Sequence, residues 1–504
     1  MIQKYPVGIQ DFGEIRTGGY VYVDKTEFAY KLAEQGKYYF LSRPRRFGKS
    51  LLISTLECLF LAKKELFTGL FVEDKWNWEQ TYPIIRISFS NIGHKLLGLE
   101  AAIDKKLEEI AQEYGIVFSA KSIDQKFKQL IIKLSESRGK VVVLIDEYDK
   151  PIIDFLGDNT EKAIENQDIM KIFYSILKDA DSYLKMVFIT GVSKFSRVSI
   201  FSDLNNLDDI TIDDRFAGCC GITEKELEEN FTEELKILDK QEIKKWYNGY
   251  SWGSEVSVYN PFSLLNFFTK RKFNNYWFET GTPTFLINLA EKARLYDFGE
   301  VEIGVSALSS YDIQKLELIP LMFQTGYLTV KSHNEMSDVY TLHYPNKEVQ
   351  KAYIEVLMAA YSQTDLGYGV VYVDKIKQFL ERGEVDKIEN ILNTIFKSLP
   401  YELWQKENEH FYHAIIHLTF TLLGVYVQSE VQTSDGRMDA LIHLKNYIYC
   451  IEFKLDKSAD QAIEQIKTKG YLEPFAYENK KRIAIGINFS TEKKKVEELK
   501  WEEV

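Results

Sequence analysis

The stretch Tyr38–Leu61, YYFLSRPRRFGKSLLISTLECLFL, constrains this chain more than any other. An apolar run, Tyr39-Phe40-Leu41, enters a short basic loop ending in Gly48-Lys49-Ser50, and an apolar-periodic helix follows at once. A strand, a glycine-bearing loop and a helix in that order make a phosphate cradle. Loop N–H groups and the positive end of the helix face the anion, the lysine reaches the outer oxygens, and the serine hydroxyl can ligate Mg²⁺. The strict spacing G-x-x-x-x-G-K-[ST] is broken here, because Arg43 stands where the first glycine belongs. Pro44 fixes one φ angle, while Arg43, Arg45 and Arg46 add charge that suits phosphate. The competing reading is an ordinary basic turn before a Ser-capped helix.

Further apolar strands supply the rest of such a site. YPIIRISFS (Tyr82–Ser90) is strand-like, and two charged helical segments fill Leu96 to Leu134. In KVVVLIDEYDKP the run Val141–Ile145 is wholly apolar, as a parallel strand covered on both faces requires. It ends in Asp146-Glu147, at the strand end where doubly wound sheets bind ligands. Asp146 would hold Mg²⁺ through water, and Glu147 would polarise an attacking water. The strand KMVFITGVSKFS (Lys185–Ser196) ends in Thr190-Gly191 and Ser193. Thr190 or its neighbours could sense a γ-phosphate, or merely cap a turn. Arg197 and Arg215 are candidate charge-stabilising arginines, set against solvated or ion-paired roles. Upstream, YVYVDKTEF predicts a strand and then a helix capped by Asp24 or Thr26. Asp24 and Lys25 could line a nucleotide pocket, but a cap and a solvated lysine are the simpler assignment.

The last hundred residues carry a second chemistry. A helix over Glu407–Leu423, a strand over Val425–Val431, strands Gly436–Leu444 and Tyr447–Leu455, a helix bearing Ala462, Ile463 and Ile466, and a strand over Arg482–Phe489 give the order α-β-β-β-α-β. With Asp439 on one strand and Glu452-x-Lys454 on the next, that order is what a PD-(D/E)XK nuclease core requires. Alternation puts Glu452 and Lys454 on one strand face, and hairpin pairing can bring Asp439 alongside. Two carboxylates then bind Mg²⁺, with Mn²⁺ as the alternative ion, and the lysine orients the nucleophile or neutralises charge. Glu409 could add a ligand from the preceding helix, and Gln465 could position the water. The plainer reading is a hairpin with polar residues on its solvent face. Glu409, His413 and His417, four residues apart, could instead hold a transition metal on one helix face.

Between these ends, Phe201–Leu399 is mainly helical with aromatic clusters at Trp246–Trp252, Tyr259–Phe268 and Tyr276–Leu286. Such clusters could stack on bases, but packing anchors are the better reading. Leu318–Val330 followed by Tyr340–Asn346 predicts a helix and a β-hairpin, which resembles a winged-helix element. The 504 residues suggest roughly three domains: 1–215, 216–399 and 400–504. A formal net charge of −12 argues against a protein that coats nucleic acid nonspecifically, without excluding a local basic groove. Acidic residues outnumber basic ones in 401–504, so no basic surface advertises DNA binding. Cys58, Cys219, Cys220 and Cys450 lack metal-ligand spacing and read as reduced thiols. No segment has a signal-peptide pattern or membrane-spanning length, so the expected location is the cytoplasm.

Taken together, YVDKTEF, FLSRPRRFGKSLL, VVVLIDEYDKP, FITGVSKFS, YNGYSW, YNPFSLL, FQTGYLTV, YPNKEV, GRMDALI, YCIEFKL and QAIEQIKTKGY resemble one bacterial family over nearly the whole chain. Its members have an N-terminal AAA-ATPase-like domain and a C-terminal PD-(D/E)XK nuclease-like domain. The resemblance makes Arg43 the family's own variant of the loop. By position it implies nucleotide contacts from Gly48, Lys49 and Ser50, Mg²⁺ contact from Asp146, and a catalytic Glu147; Arg46 and Thr190 join the nucleotide-binding set from the reading of the loop and strand end alone. For the second site it implies Asp439, Glu452 and Lys454, with Glu409 and Gln465 in support. The expected fold class is α/β: a P-loop NTPase with a parallel sheet, a helical middle with a winged-helix-like element, and a restriction-endonuclease-like α/β domain. The expected function is an ATPase-like module coupled to a metal-dependent nuclease. Its rival is an ATP-dependent switch or scaffold whose nuclease-like domain binds without cutting. Expected partners are ATP and DNA or RNA, with no membrane; a homo-oligomer is compatible with the pattern.

Overall fold

The computed structural model describes residues 3–504 except 158, 194–200, 202–203, 205, 254, 279–283, 294, 297, 310–315, 363–364, 366, 398–408 and 428–439, and without the side chains of 284–285, 368, 409–413 and 425–427. The chain forms two compact units. One comprises Met1–Phe285 with Gly299–Glu348, the other Leu286–Phe298 with Val349–Val504.

In the first unit the apolar runs become a parallel sheet. Its strands are β1 (Tyr38–Ser42), β2 (Ile84–Ser88), β3 (Val141–Asp146), β4 (Leu184–Gly191) and β5 (Asp208–Asp209), in the order β2-β3-β4-β1-β5. Every residue of β1 and β3 is buried, because helices cover both faces of the sheet and leave no solvent side for polar residues. The helix Lys49–Phe60 packs on β3, and Ile123–Arg138 packs on both β3 and Thr160–Asp179. Register aligns Ser42 with Gly191, Ile145 with Ile189 and Ser88 with Asp146. The C-terminal ends of β1, β3 and β4 therefore meet at one edge of the sheet.

After β5 the unit turns helical. A two-stranded ribbon of β6 (Ile222–Thr223) and β7 (Val258–Tyr259) precedes helix Pro261–Lys270. Aromatic residues from all three clusters lie in the core: Tyr247, Tyr250 and Tyr259 are almost fully buried, as are Trp252, Phe267 and Tyr276. The expected helix and hairpin are present as Leu318–Thr325, β9 (Thr329–Asn334) and β10 (Val339–His343), and β8 (Val301–Gly304) pairs with β10 on its other side.

The second unit holds a four-stranded mixed sheet, β11 (Ala440–His443), β12 (Tyr447–Leu455), β13 (Lys481–Ser490) and β14 (Lys495–Glu503), in that order. β12 and β13 run parallel, and each outer strand is antiparallel to its neighbour. The crossover between β12 and β13 is helix Ala459–Lys469, which packs on both. One expectation is corrected here, and one strand is new. Residues Val425–Val427 continue the helix Glu409–Val427 instead of opening a strand, since a short apolar run suits either element and the helix was already nucleated. The rest of that expected strand, through Val431, lies outside the described residues. β14, KVEELKWEE, was not foreseen at all: it is an edge strand on which Lys495, Glu497 and Glu503 are exposed. Among the described residues no helix is long and apolar enough to cross a membrane.

Candidate nucleotide and metal sites

Gly48 opens the helix Lys49–Phe60 with φ +97°, a left-handed conformation that a side chain would strain, and nothing lies within 4 Å of where its Cβ would be. The loop thus faces open space. Lys49 is buried, and its ammonium donates to the carbonyls of Arg43 (2.9 Å) and Pro44 (3.0 Å) of its own loop. Burial lowers its pKa from the ordinary lysine value, and Asp146 and Glu147 partly counter that. Thr190 Oγ1 donates to Asp146 Oδ1 at 2.8 Å, joining the ends of β3 and β4. Glu147 follows with φ +51°, which turns the chain sharply beyond the strand. Ser50 sits half-buried in the first helical turn. The amine-and-carboxylate set fits a nucleotide with its cation, because phosphate oxygens can replace the two carbonyls that now hold Lys49.

Other residues of this region stand apart from their sequence expectations. Arg43 does not face phosphate. It is 1% exposed, donates to the carbonyls of Ser42 (3.0 Å) and Thr211 (2.7 Å), and lies 3.9 Å over the Trp252 ring. Arg46, exposed, stacks 3.7 Å over Phe262. Lys25 is not solvated: it is largely buried and pairs with Glu226 at 2.6 Å while donating to the Gly218 carbonyl. Lys25 also holds the N-cap position of helix Thr26–Gln35, and Asp24 accepts from the Thr26 amide at 2.8 Å. Ser193 and Arg215 are held by Asp149 and Asp213 respectively; Arg197 lies outside the described residues.

Asp149 was missed by sequence reasoning. Its Oδ2 accepts from the Val192 amide (2.9 Å), the Ser193 amide (2.7 Å) and the Ser193 hydroxyl (2.8 Å), which pins the chain beyond β4 to the chain beyond β3. Burial raises its pKa above the usual carboxylate value. The only signal was its place one turn after Asp146-Glu147, and its partners are remote in sequence.

In the second unit, alternation on β12 puts Glu452 and Lys454 on one face. Lys454 Nζ donates to Glu452 Oε1 (2.9 Å) and to Gln465 Oε1 (2.7 Å), and the Gln465 amide closes the triangle onto Glu452. Gln465 reaches them because helix Ala459–Lys469 lies tight on β13. A Cβ on Gly486 would sit 2.2 Å from the Ala459 carbonyl oxygen. Glu452 is 3% exposed, and its Oε2 is buried with no hydrogen-bond partner among the described residues. An orphaned carboxylate oxygen costs about 1–3 kcal/mol, and that oxygen is what a hard divalent cation would take. Asp439 lies outside the described residues, as do the side chains of Glu409 and His413. The His417 ring packs on Tyr296 at 5.3 Å. Among the described residues no three His, Cys, Asp or Glu side chains converge as a metal cluster.

Comparison with known proteins accords with this geometry. A family described as predicted AAA-ATPase matches residues 6–201, and the PD-(D/E)XK nuclease superfamily matches residues 407–499. An uncharacterized protein in the vnfD 5' region of Azotobacter chroococcum mcd 1 is 39% identical over 508 residues, covering 98% of each chain. The chain therefore belongs to the family whose members join an AAA-ATPase-like domain to a PD-(D/E)XK nuclease-like domain.

Proposed function

We propose that this protein binds and hydrolyses ATP in its first unit and, in its second, cleaves nucleic acid with a divalent metal, the two activities being coupled. In this reading residues 1–215 form the ATPase-like module, 216–399 transmit its state, and 400–504 form the nuclease-like module. Gly48, Lys49 and Ser50 hold the phosphates, with Arg46 at the loop's outer side and Thr190 at the γ-phosphate end. Ser50 and Asp146 hold Mg²⁺, and Glu147 accepts a proton from the attacking water. Asp439 and Glu452, helped by Glu409, hold Mg²⁺ or Mn²⁺ at the second site. A metal bound there would supply an activated water and stabilise charge on the phosphate. Lys454 neutralises charge beside it, and Gln465 orients the water.

The observation that carries the nuclease half is the buried Glu452 with one oxygen bonded by Lys454 and Gln465 and the other without a partner among the described residues. The rival reading, a nuclease-like domain that binds a partner without cutting, draws on the acidic excess of residues 401–504. The deciding assay incubates the full chain with single- and double-stranded DNA and RNA, with Mg²⁺ or Mn²⁺, with and without ATP. Cleavage that disappears in Glu452→Ala or Asp439→Ala, while ATP binding persists, supports the nuclease. A wild-type protein inert on every substrate overturns it in favour of binding alone. Coupling is tested by reciprocal titrations with a non-hydrolysable ATP analogue. Each ligand should shift the other's affinity by the same factor, roughly 5- to 150-fold, and two flat titrations would refute it.

A further inference from the structure

β2 is an edge of the parallel sheet, with β3 on one side and no strand among the described residues on the other. Toward β3 the ladder uses alternate residues: the Val142 amide donates to the Pro83 carbonyl (2.9 Å), and the Phe89 amide to the Asp146 carbonyl (3.0 Å). Ile84, Arg86 and Ser88 therefore turn their amides and carbonyls the other way. Ile84 is satisfied there, because the Tyr114 hydroxyl accepts from its amide (3.0 Å) and donates to its carbonyl (3.0 Å). The Ser88 carbonyl accepts from the Asn91 amide at 3.2 Å. The Arg86 amide, the Arg86 carbonyl and the Ser88 amide have no hydrogen-bond partner among the described residues. They face a cleft of about 530 Å³ between β2 and the helix Leu99–Glu113.

That helix runs antiparallel to β2, since it follows the loop beyond Ser88 and leads into Tyr114, which is bonded to Ile84. It walls the far side of the cleft, so a second sheet cannot reach the edge, whereas a single extended segment can. The charges along the walls are ordered. Arg86 pairs with Glu57, and Lys106 with Glu109. Lys105, toward the Ser88 end, and Glu113, toward the Ile84 end, are exposed and have no ion-pair partner among the described residues. Being eight residues apart on one helix, they are separated by roughly 12 Å, close to the roughly 13 Å that β2 spans. Four residues of an extended chain cover that length and bring both end side chains to one face.

We propose that this cleft is a peptide-docking site, in which an extended segment of a partner protein adds to β2 as a further, antiparallel strand. Antiparallel pairing is the more stable per residue, and it places the N-terminal side of the segment by Ser88. The recognition chemistry follows from the walls. An acidic side chain of the segment meets Lys105, and a basic side chain four residues later meets Glu113. Main-chain bonds to Arg86 and Ser88 supply the affinity, and the two end charges set the direction. Ser88 lies beside Asp146 in the sheet, so β2 alone would separate the docked strand from the phosphate site. The docking claim stands without the ATP-binding reading.

The probe is a displayed library of random linear octapeptides, panned on the full-length protein, with the selected peptides synthesised for fluorescence anisotropy. Selected sequences should carry Asp or Glu four residues before Lys or Arg. Ser88→Pro removes an amide that faces the cleft and not one bonded to β3, which an edge strand tolerates. It should weaken binding by about tenfold or more. The charge-swapped protein, Lys105→Glu with Glu113→Lys, should prefer the reversed order, base before acid, by about tenfold. The swap alters only exposed helix positions, so it decides the question even where Ser88→Pro does not fold. Hydrogen exchange in residues 84–88 should slow when a selected peptide binds. No peptide selected, or peptides bound equally by the wild type and the charge-swapped protein, overturns the proposal. Peptides that respond to the swap but leave residues 84–88 exchanging at the unbound rate bind by side chains alone, which overturns strand addition.

Discussion

Replacing Gly486 with alanine should destabilise the second unit, although a strand glycine replaced by alanine ordinarily gains roughly 0.5–1 kcal/mol. Gly486 lies opposite Glu452 in the β12–β13 register. The new methyl would meet the Ala459 carbonyl oxygen at 2.2 Å and Ile463 Cγ1 at 3.0 Å. Normal carbon contacts begin near 3.5 Å, so the helix Ala459–Lys469 must retreat by about 1 Å. Its first turn is backbone and cannot yield as a flexible side chain would. Overpacking of this kind costs about 1–3 kcal/mol, which exceeds the glycine's entropic gain and leaves a net loss of one or two kcal/mol. That corresponds to a factor of about 5–30 in the opening equilibrium. Native-state hydrogen exchange, followed by mass spectrometry on peptides covering residues 459–469 and 481–490, should show protection falling by that factor, with the first unit unchanged. The retreat also draws Gln465 away from Glu452 and Lys454, so cleavage should fall with it. Exchange at the wild-type rate, or slower, would refute the packing argument.

Lys49→Ala should abolish or greatly weaken ATP binding by calorimetry without unfolding the protein, whereas Glu147→Gln should bind ATP and lose hydrolysis; wild-type turnover in the latter would remove Glu147 from any basic role. Arg43→Gly restores the strict motif glycine, yet it should lower the thermal midpoint, because the carbonyls of Ser42 and Thr211 lose their donor and the space over Trp252 empties. The cost is about 2–5 kcal/mol, and an unchanged midpoint would count against the packing role. Asp154 supplies a pH dependence. Burial would raise its pKa, but hydrogen bonds from His94 and Lys150 outweigh that and hold it below the ordinary carboxylate value. Its stabilisation is thus present above the unfolded value of 3.8 and is lost as pH falls below it. Asp154→Asn should therefore flatten the decline of the thermal midpoint in acid, and parallel curves for the two proteins would refute it.

How much of this was visible in the sequence differs by element. β1, β3 and β4 were legible because parallel strands buried on both faces have to be apolar throughout, and β12 matched its expected span, Tyr447–Leu455, residue for residue. The carboxylate-bearing strand ends followed from those strands. Burial of charged side chains was not legible. Nothing local distinguishes the enclosed Lys25 and Arg43 from solvated basic residues, since the groups that enclose them, Glu226 and Trp252, come from about two hundred residues downstream. Asp149 escaped for the same reason. β14 escaped because an edge strand needs only one apolar face, and its charges masked the alternation.

The phosphate loop bears on its other side against residues that come long after it. Phe47 meets Tyr250 and Trp252 edge-on, with ring centroids 4.7 and 5.8 Å apart, and the Trp277 indole donates to the Arg45 carbonyl at 3.0 Å. A Cβ on Gly326 would lie 2.7 Å from Pro44. The spelling R-P-R-R-F is therefore dictated in part by the surface the loop rests on, as a key's shank is cut for its lock as well as its bit. In evolutionary terms the loop and the residues it rests on, Tyr250, Trp252, Trp277 and Gly326, are expected to change together, because each substitution on one side alters the fit of the other. Divergence should accordingly run in step at positions 43–47 and 250–277, and slowly at both, while the exposed helices between them drift.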